Sequence, residues 1–220
     1  MSRHNRIRRI VLFIVAVLLL APSVGCIGLI ANLIHAANGN LMPASYDGFI
    51  GKRVAVVCVS NADSFGPTSA SFQIAKRVSD LLKVHVKEID VVDQQEVTDW
   101  IDRHDWDYAN FVQVGKGVDA DIVLAVVLEN FRLYDGKTLY KGRADVEIVA
   151  YDLTKKGAIV FESTPPQIQF PANVGLPVSE SSENDFRRRF LAILSGRIAR
   201  NFYEYDLKED YAYDATIVTQ

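Results

Sequence analysis

The segment RVAVVCV, residues 53–59, decides the fold, because it holds six consecutive apolar residues, four of them valine. A short β-branched run without polar alternation is typical of a strand that is covered on both faces, as in a parallel sheet. Residues 122–128, IVLAVVL, form a second run of this kind. Two such runs, separated by segments with helical spacing, predict that both strands lie near the centre of one sheet.

Helices are predicted between and after these strands from apolar residues that recur at helical spacing. One helix follows residue 68, and a short one follows Asp107. Between them, a helix begins at Asp93, where Glu96 completes a capping box. The last helix begins near Ser182, because Asp185 stands at the same spacing from it.

The second half of the sheet is predicted to be antiparallel. Apolar and polar residues alternate over 144–150 after the Asp135-Gly136 turn, and Gly157 precedes another short apolar run. The fold class is therefore α/β (α+β): a single two-layer or three-layer domain with a mixed sheet. A parallel βαβα half is followed by an antiparallel meander and a C-terminal helix. Residues 164–183 hold four prolines and predict a mostly irregular surface loop.

The first 34 residues have the order of a bacterial secretory segment. Four arginines precede Ile10, residues 10–34 carry no formal charge, and Pro22 introduces a helix breaker. A basic start followed by an apolar stretch directs the rest of the chain out of the cytoplasm. Two interpretations fit this pattern: a cleaved signal of residues 1–25, or an uncleaved transmembrane helix within residues 10–34.

The pair Gly25-Cys26 resembles the lipobox of bacterial lipoproteins, in which a small residue precedes a cysteine that receives diacylglycerol. The resemblance implies lipidation of Cys26. An uncleaved anchor remains the alternative. Both interpretations predict attachment to the cell membrane or the outer membrane through the N-terminus, with the domain facing the periplasm or the exterior.

Four regions follow from these patterns. Residues 1–25 are a signal peptide or anchor, and residues 26–49 are a lipid-attached or membrane-proximal tether with little periodicity. Residues 50–205 form the globular domain, and residues 206–220 form an acidic, flexible tail. Four of the 24 basic residues precede residue 26, which leaves 20 against 27 acidic ones. This acidic body is a poor match for a phosphate backbone, so nucleic acid is not expected as a partner.

Five short motifs resemble a family of uncharacterised bacterial envelope lipoproteins: residues 51–57, 106–107, 119–123, 140–144 and 201–205. The order of elements also resembles the α/β domain shared by the Tol-system propeller protein, curli-secretion lipoproteins and the lipoprotein activators of penicillin-binding proteins. These resemblances imply a module that docks onto envelope machinery. They carry no catalytic residue over to this chain.

The residues themselves predict no catalytic, cofactor-binding or metal-binding set. Cys58 lies within an apolar strand, where a thiol is typical of core packing. His104 stands among aspartates, but one histidine with neighbouring carboxylates lacks the spacing of a metal-ligand set. The sequence therefore favours a protein without cofactors that is not an enzyme. An envelope hydrolase using carboxylates near Asp63 or His104 is the alternative.

The function favoured by these observations is a non-catalytic, membrane-anchored extracytoplasmic binding or scaffold module for envelope proteins. A structural envelope component with a single transmembrane helix is a further alternative. Partner contacts are predicted at isolated apolar residues in the proline-rich loop and the acidic tail: Val174, Leu176, Val178, Tyr211 and Tyr213. The competing interpretation is that the loop covers a sheet edge and the tail is disordered.

Overall fold

A computed structural model describes residues 41–60, 69–104, 106 and 110–206. In chain order, the elements are β1 (Leu41–Met42), β2 (Arg53–Ser60), α1 (Ala70–His85), β3 (Asp90–Val91), α2 (Gln94–Arg103), α3 (Phe111–Gly117), β4 (Ile122–Asp135), β5 (Leu139–Asp152), β6 (Ala158–Ser163), β7 (Ile168–Phe170), β8 (Leu176–Pro177), α4 (Glu183–Ala199) and β9 (Tyr205–Asp206). Within these described ranges, no helix has both the length and the apolar character needed to cross a membrane. The anchor predicted within residues 10–34 lies outside them.

Seven strands form one sheet, and the sheet is mixed, as the sequence predicts. Its order is β3-β2-β4-β5-β6. The strands β3, β2 and β4 are parallel, whereas β4, β5 and β6 run antiparallel to one another. The short strands β7 and β8 pair with the first half of β5, which is the part of β5 that β6 does not reach. The parallel half and the antiparallel meander thus share β4 as their common strand.

Both faces of the parallel half are buried, which explains its unbroken apolar strands. Val54 and Val56 of β2 belong to the larger core, which α1 and α4 cover, whereas Ala55 and Val57 belong to a smaller core beneath α2 and α3. Alternation of side chains along a strand places neighbours on opposite faces, so every residue of such a strand must be apolar. The molecule therefore has three layers over β2 and β4.

Side-chain caps fix where the helices begin. Asp93 accepts a hydrogen bond from the backbone N–H of Gln95 at 2.8 Å at the start of α2. Ser182 accepts one from the N–H of Asp185 at 3.1 Å at the start of α4, and its hydroxyl donates to the Asp185 carboxylate at 2.7 Å. Both helix starts predicted from capping spacing are confirmed.

The packed domain extends to the N-terminal side of residue 50. Phe49 is fully buried, and its ring stacks on Phe202 with centroids 4.4 Å apart. Tyr46 meets Phe49 edge to face, and its backbone N–H donates to the carbonyl of Asn201 at 2.9 Å. Part of the predicted tether is thus integral to the core. The sequence does not indicate this burial, because two aromatic residues in a segment without periodicity form no recognisable pattern.

Candidate partner-binding surface

The proline-rich loop predicted over residues 164–183 is more ordered than expected, because it contains β7 and β8. Phe170 of β7 pairs with Gly142, and Leu176 of β8 pairs with Tyr140. Both partners lie in β5, so the loop covers the edge of β5 as the competing interpretation held. This edge pairing uses strands of only two or three residues, which are too short to show a period of their own.

The three predicted loop residues differ in exposure. Val174 is 77% exposed and Val178 is 37% exposed. Leu176, between them in the chain, is half-buried and packs against the larger core. Leu176 therefore anchors the loop to the core, whereas Val174 and Val178 face solvent.

Contacts on both sides hold Val174 in place. The Lys141 ammonium donates to the carbonyl of Asn173 at 2.7 Å, and the N–H of Val178 donates to Thr138 at 3.0 Å. At Gly175 the backbone runs so close to β5 that an added Cβ would lie 2.8 Å from the Tyr140 carbonyl oxygen. An exposed valine on a loop fixed in this way costs little conformational entropy when a partner binds it.

Aromatic side chains lie in the strands next to β8, at the end of the β4–β5 hairpin. Tyr134 lies opposite Tyr140, which in turn lies opposite Leu176, so the three residues form one cross-strand row. The Tyr134 hydroxyl donates to the Glu183 carboxylate at 2.5 Å, which ties the hairpin to the start of α4. This hydrogen bond is the main reason that the pKa of Tyr134 is raised. We call Tyr134, Val174 and Val178 the loop surface.

The residues considered for chemistry are not brought together. Cys58 is buried in β2, and burial raises the pKa of its thiol. His104 lies at the C-terminal end of α2, where its ring stacks on Trp100 with centroids 4.3 Å apart and its Nδ1 lies 2.8 Å from the Trp100 carbonyl oxygen. Among the described residues, no three histidine, cysteine or acidic side chains are placed to share a metal ion. Asp63, Cys26, Tyr211 and Tyr213 lie outside the described residues.

Two of the cavities in the described part of the chain contain polar or charged groups that the sequence did not indicate as a site. One, of about 160 Å³ between α1 and α2, is lined by Ser79 and Gln94, and each buries a side-chain oxygen without a hydrogen-bond partner in the described part of the chain. A small polar cavity of this kind suits ordered water. The other, of about 290 Å³, is lined by Arg197 and Arg200, with the Arg200 guanidinium 5.4 Å from the centre of the Tyr205 ring. Neither set of side chains defines a ligand class.

No protein-family model matches the sequence, and no curated protein matches it. No sequence-level family is therefore shown for the five short motifs. The structure is similar to a PelC dodecamer subunit from Paraburkholderia phytofirmans, at 12% identity over 74% of this chain and 95% of that chain, with a TM-score of 0.46.

Two further solved structures are similar at the same distant level. The lipoprotein GNA1162 from Neisseria meningitidis has 10% identity over 66% of this chain and 96% of that chain, with a TM-score of 0.44. The C-terminal domain of LpoB from Salmonella enterica has 11% identity over 62% of this chain and 90% of that chain, with a TM-score of 0.35. The likeness lies in the arrangement of strands and helices and identifies no functional residue.

Proposed function

We propose that this protein is a membrane-anchored, extracytoplasmic docking module that binds or supports proteins of the bacterial envelope without catalysing a reaction. The observation that carries the proposal is Val174, an exposed apolar side chain on a loop that strand pairing and hydrogen bonds hold against β5. The basic and apolar N-terminal segment supports the location. A rigid apolar contact point on a tethered domain is suited to recruiting a partner held at the same membrane.

The substitution Val174→Ser tests the loop surface. The full-length chain is purified from detergent-solubilised envelopes, and co-purifying envelope proteins are quantified by mass spectrometry. We expect Val174→Ser to reduce the recovery of at least one abundant partner about tenfold, because a buried apolar contact at an interface is worth more than about 1 kcal/mol. Val84→Ser is the matched control, since Val84 is 76% exposed near the end of α1. Equal recovery with both variants would contradict the assignment of the loop surface.

Deleting residues 207–220 tests the tail, including Tyr211 and Tyr213, in the same assay. A partner lost with the tail but retained with Val174→Ser would move the binding site to the tail. Thermal unfolding of each variant shows whether a loss of binding reflects a loss of fold.

The anchor is tested by the intact mass of the mature chain. A chain that begins at Cys26 and carries diacylglycerol is expected from the lipobox resemblance. An uncleaved chain with an unmodified Cys26 would instead support the transmembrane alternative within residues 10–34. Either result identifies the attachment on which the proposed function depends.

A further inference from the structure

The cavity of about 290 Å³ at the C-terminal end of α4, which we call the arginine cavity, carries an excess of positive charge. Arg197, in the last turn of α4, is exposed, and its guanidinium has no ion pair within the described part of the chain. Arg200 is half-buried beside the Tyr205 ring. None of the described residues that line the cavity is acidic, and Glu204 and Asp206 lie outside its lining. Because the helix dipole offsets only about half of one elementary charge, the two guanidinium groups make the cavity suited to an anion.

Two segments of the chain adjoin the arginine cavity, and they differ in charge. Met42 lines the cavity on the side of residues 26–40, and Tyr205 lines it on the side of residues 207–220, the part of the acidic tail beyond β9. Residues 26–40 contain neither aspartate nor glutamate. The tail segment contains three acidic residues and one lysine: Glu209, Asp210, Asp214 and Lys208. Of the two segments, the tail is therefore the one that can supply anionic groups.

The length of the chain keeps the first of these carboxylates near the cavity. Each residue spans at most about 3.6 Å, so the Cα atom of Glu209 lies within about 11 Å of that of Asp206, and the Cα atom of Asp210 within about 14 Å. A segment joined so closely to a site meets it at an effective concentration on the order of millimolar. Weak ion pairs are then sufficient to hold the tail in place, whereas a free anion would have to bind from solution.

We propose that the acidic tail folds back into the arginine cavity of its own domain, where the carboxylates of Glu209 and Asp210 pair with Arg197 and Arg200. Tyr211 follows directly in the chain, so its ring comes within reach of Met42, which is 40% exposed. The docked tail has a consequence for binding. An envelope protein that takes up the tail must first break these ion pairs, so the arginine cavity competes with that partner.

Disulfide formation between the cavity wall and the tail tests the contact in the full-length chain. Ser45→Cys, at an exposed residue that lines the cavity, is combined with Ala212→Cys in the tail. The matched control combines Ile50→Cys with Ala212→Cys, because Ile50 is 52% exposed and does not line the cavity. We expect the Ser45 pair to crosslink within one chain at least about fivefold faster under a mild oxidant, since docking raises the effective concentration of the tail thiol. Peptide mapping separates this disulfide from any that involves Cys26 or Cys58.

Charge reversal in the Ser45 pair provides the second readout. Arg197→Glu with Arg200→Glu, and separately Glu209→Lys with Asp210→Lys, are each expected to lower the rate to that of the Ile50 pair, because like charges then face one another. The fourfold variant should recover the fast rate. Arg197→Gln alone is a milder change at an exposed residue and should lower the rate about twofold. Thermal unfolding of every variant shows whether the fold is retained.

Four results would overturn the proposal. They are equal rates for the Ser45 and Ile50 pairs, rates that do not respond to Arg197→Gln and the double reversals, a fourfold variant that fails to recover, or a fast rate in nonionic detergent that is lost in envelope membranes. The last result would mean that anionic lipid phosphates fill the arginine cavity in place of the tail. The test involves no envelope partner, so the proposed docking function can fail while this proposal stands, and the reverse also holds.

Discussion

At the scale of single residues, Asp152 is the last residue of β5, and both oxygens of its buried carboxylate have partners. One oxygen accepts hydrogen bonds from the backbone N–H of Thr154 at 3.0 Å and from the Thr154 hydroxyl. The other oxygen lies 2.9 Å from the Lys155 ammonium. The Thr154 hydroxyl, more than Lys155, lowers the pKa of Asp152 below its ordinary value of 3.8. The ionised form is therefore stabilised by folding.

This arrangement predicts a pH-dependent effect of Asp152→Asn. A carboxyl whose pKa is lower in the folded state stabilises the protein above its ordinary pKa, and that contribution is lost as the pH falls through the folded value. We expect the variant to lose about 1–2 kcal/mol at about pH 7. The difference from the unsubstituted protein should shrink as the pH falls below about 4. Asparagine can retain the turn-capping hydrogen bond, so the comparison isolates the charge.

Urea unfolding at several pH values, on a chain spanning residues 42–206, measures this difference. Glu129→Gln serves as the control, because Glu129 is an exposed side chain of β4. A free-energy difference for Asp152→Asn that stays constant from neutral to acidic pH would show that the charge of Asp152 does not matter.

Residue-level prediction from sequence succeeds where a local rule decides. Cys58 was predicted to be buried from its apolar neighbours, and it is 2% exposed. Ser182 was predicted as a helix start from its spacing to Asp185, and it caps α4. The burial of Phe49 has no local sign in the sequence, because its partner Phe202 is more than 150 residues away in the chain. Only the folded arrangement brings such rings together.

At the scale of elements, the close packing of α4 against the sheet depends on a glycine. Gly142 lies in β5 beneath the buried ring of Phe190, and an added Cβ would lie 2.4 Å from that ring. Real side chains do not approach so closely, so an alanine would have to push the ring and its helix outward. The close approach of helix and strand is possible because position 142 has no side chain.

Gly142→Ala is therefore expected to destabilise the domain by about 1–3 kcal/mol, the usual cost of overpacking a core. Chemical denaturation gives the free energy of unfolding. The matched test is a double-mutant cycle with Phe190→Leu, a smaller side chain that should relieve the clash. We expect the double variant to lose less stability than the two single losses added together. Strict additivity would mean that the ring of Phe190 does not resist the new methyl group.

The sequence predicts long elements better than short ones, for a physical reason. The strands β2 and β4 were predicted from unbroken apolar runs, and the runs are unbroken because helices cover both faces. The strands β7 and β8 have no such signal within the proline-rich loop. They have three and two residues, and their order comes from pairing with β5, a partner that the local sequence does not reveal.

In the candidate partner-binding surface, too, the features with a local sequence signal are predictable and those that depend on a distant strand are not. Exposure of Val174 and Val178 could be predicted, because isolated apolar residues among prolines belong to no periodic stripe. The anchoring role of Leu176 could not, since it depends on Tyr140 in β5. The position of Tyr134 could not be predicted either, because it depends on pairing with Tyr140 across the hairpin.

At the scale of the whole molecule, a domain boundary drawn from sequence differs from the boundary drawn by packing. The sequence indicated a tether up to residue 49, because glycine, asparagine and proline are frequent there. Packing instead includes Tyr46 and Phe49, which close one end of the larger core against Phe161 and Phe202. The two boundaries predict different stabilities for two versions of the domain.

A chain of residues 42–206 is expected to fold as a cooperative unit that is more stable than a chain of residues 51–206 by at least about 3 kcal/mol. This is the usual cost of removing one buried phenylalanine side chain. The shorter chain would also leave the carbonyl of Asn201 without the N–H of Tyr46 and would expose the face of Phe202. Urea unfolding followed by circular dichroism measures both chains under the same conditions.

Two substitutions in the longer chain separate packing from chain length. Phe49→Ala should reproduce most of the loss, because Phe49 is fully buried, whereas Ile50→Ala should cost less than about 0.5 kcal/mol, because Ile50 is largely exposed. Chelator is expected to leave both chains unchanged. If residues 51–206 prove as stable as residues 42–206, residues 42–49 would be a tether, as the sequence predicts. If the expected loss is found, the segment from Tyr46 to Phe49 belongs to the folded domain, and the domain begins before residue 50.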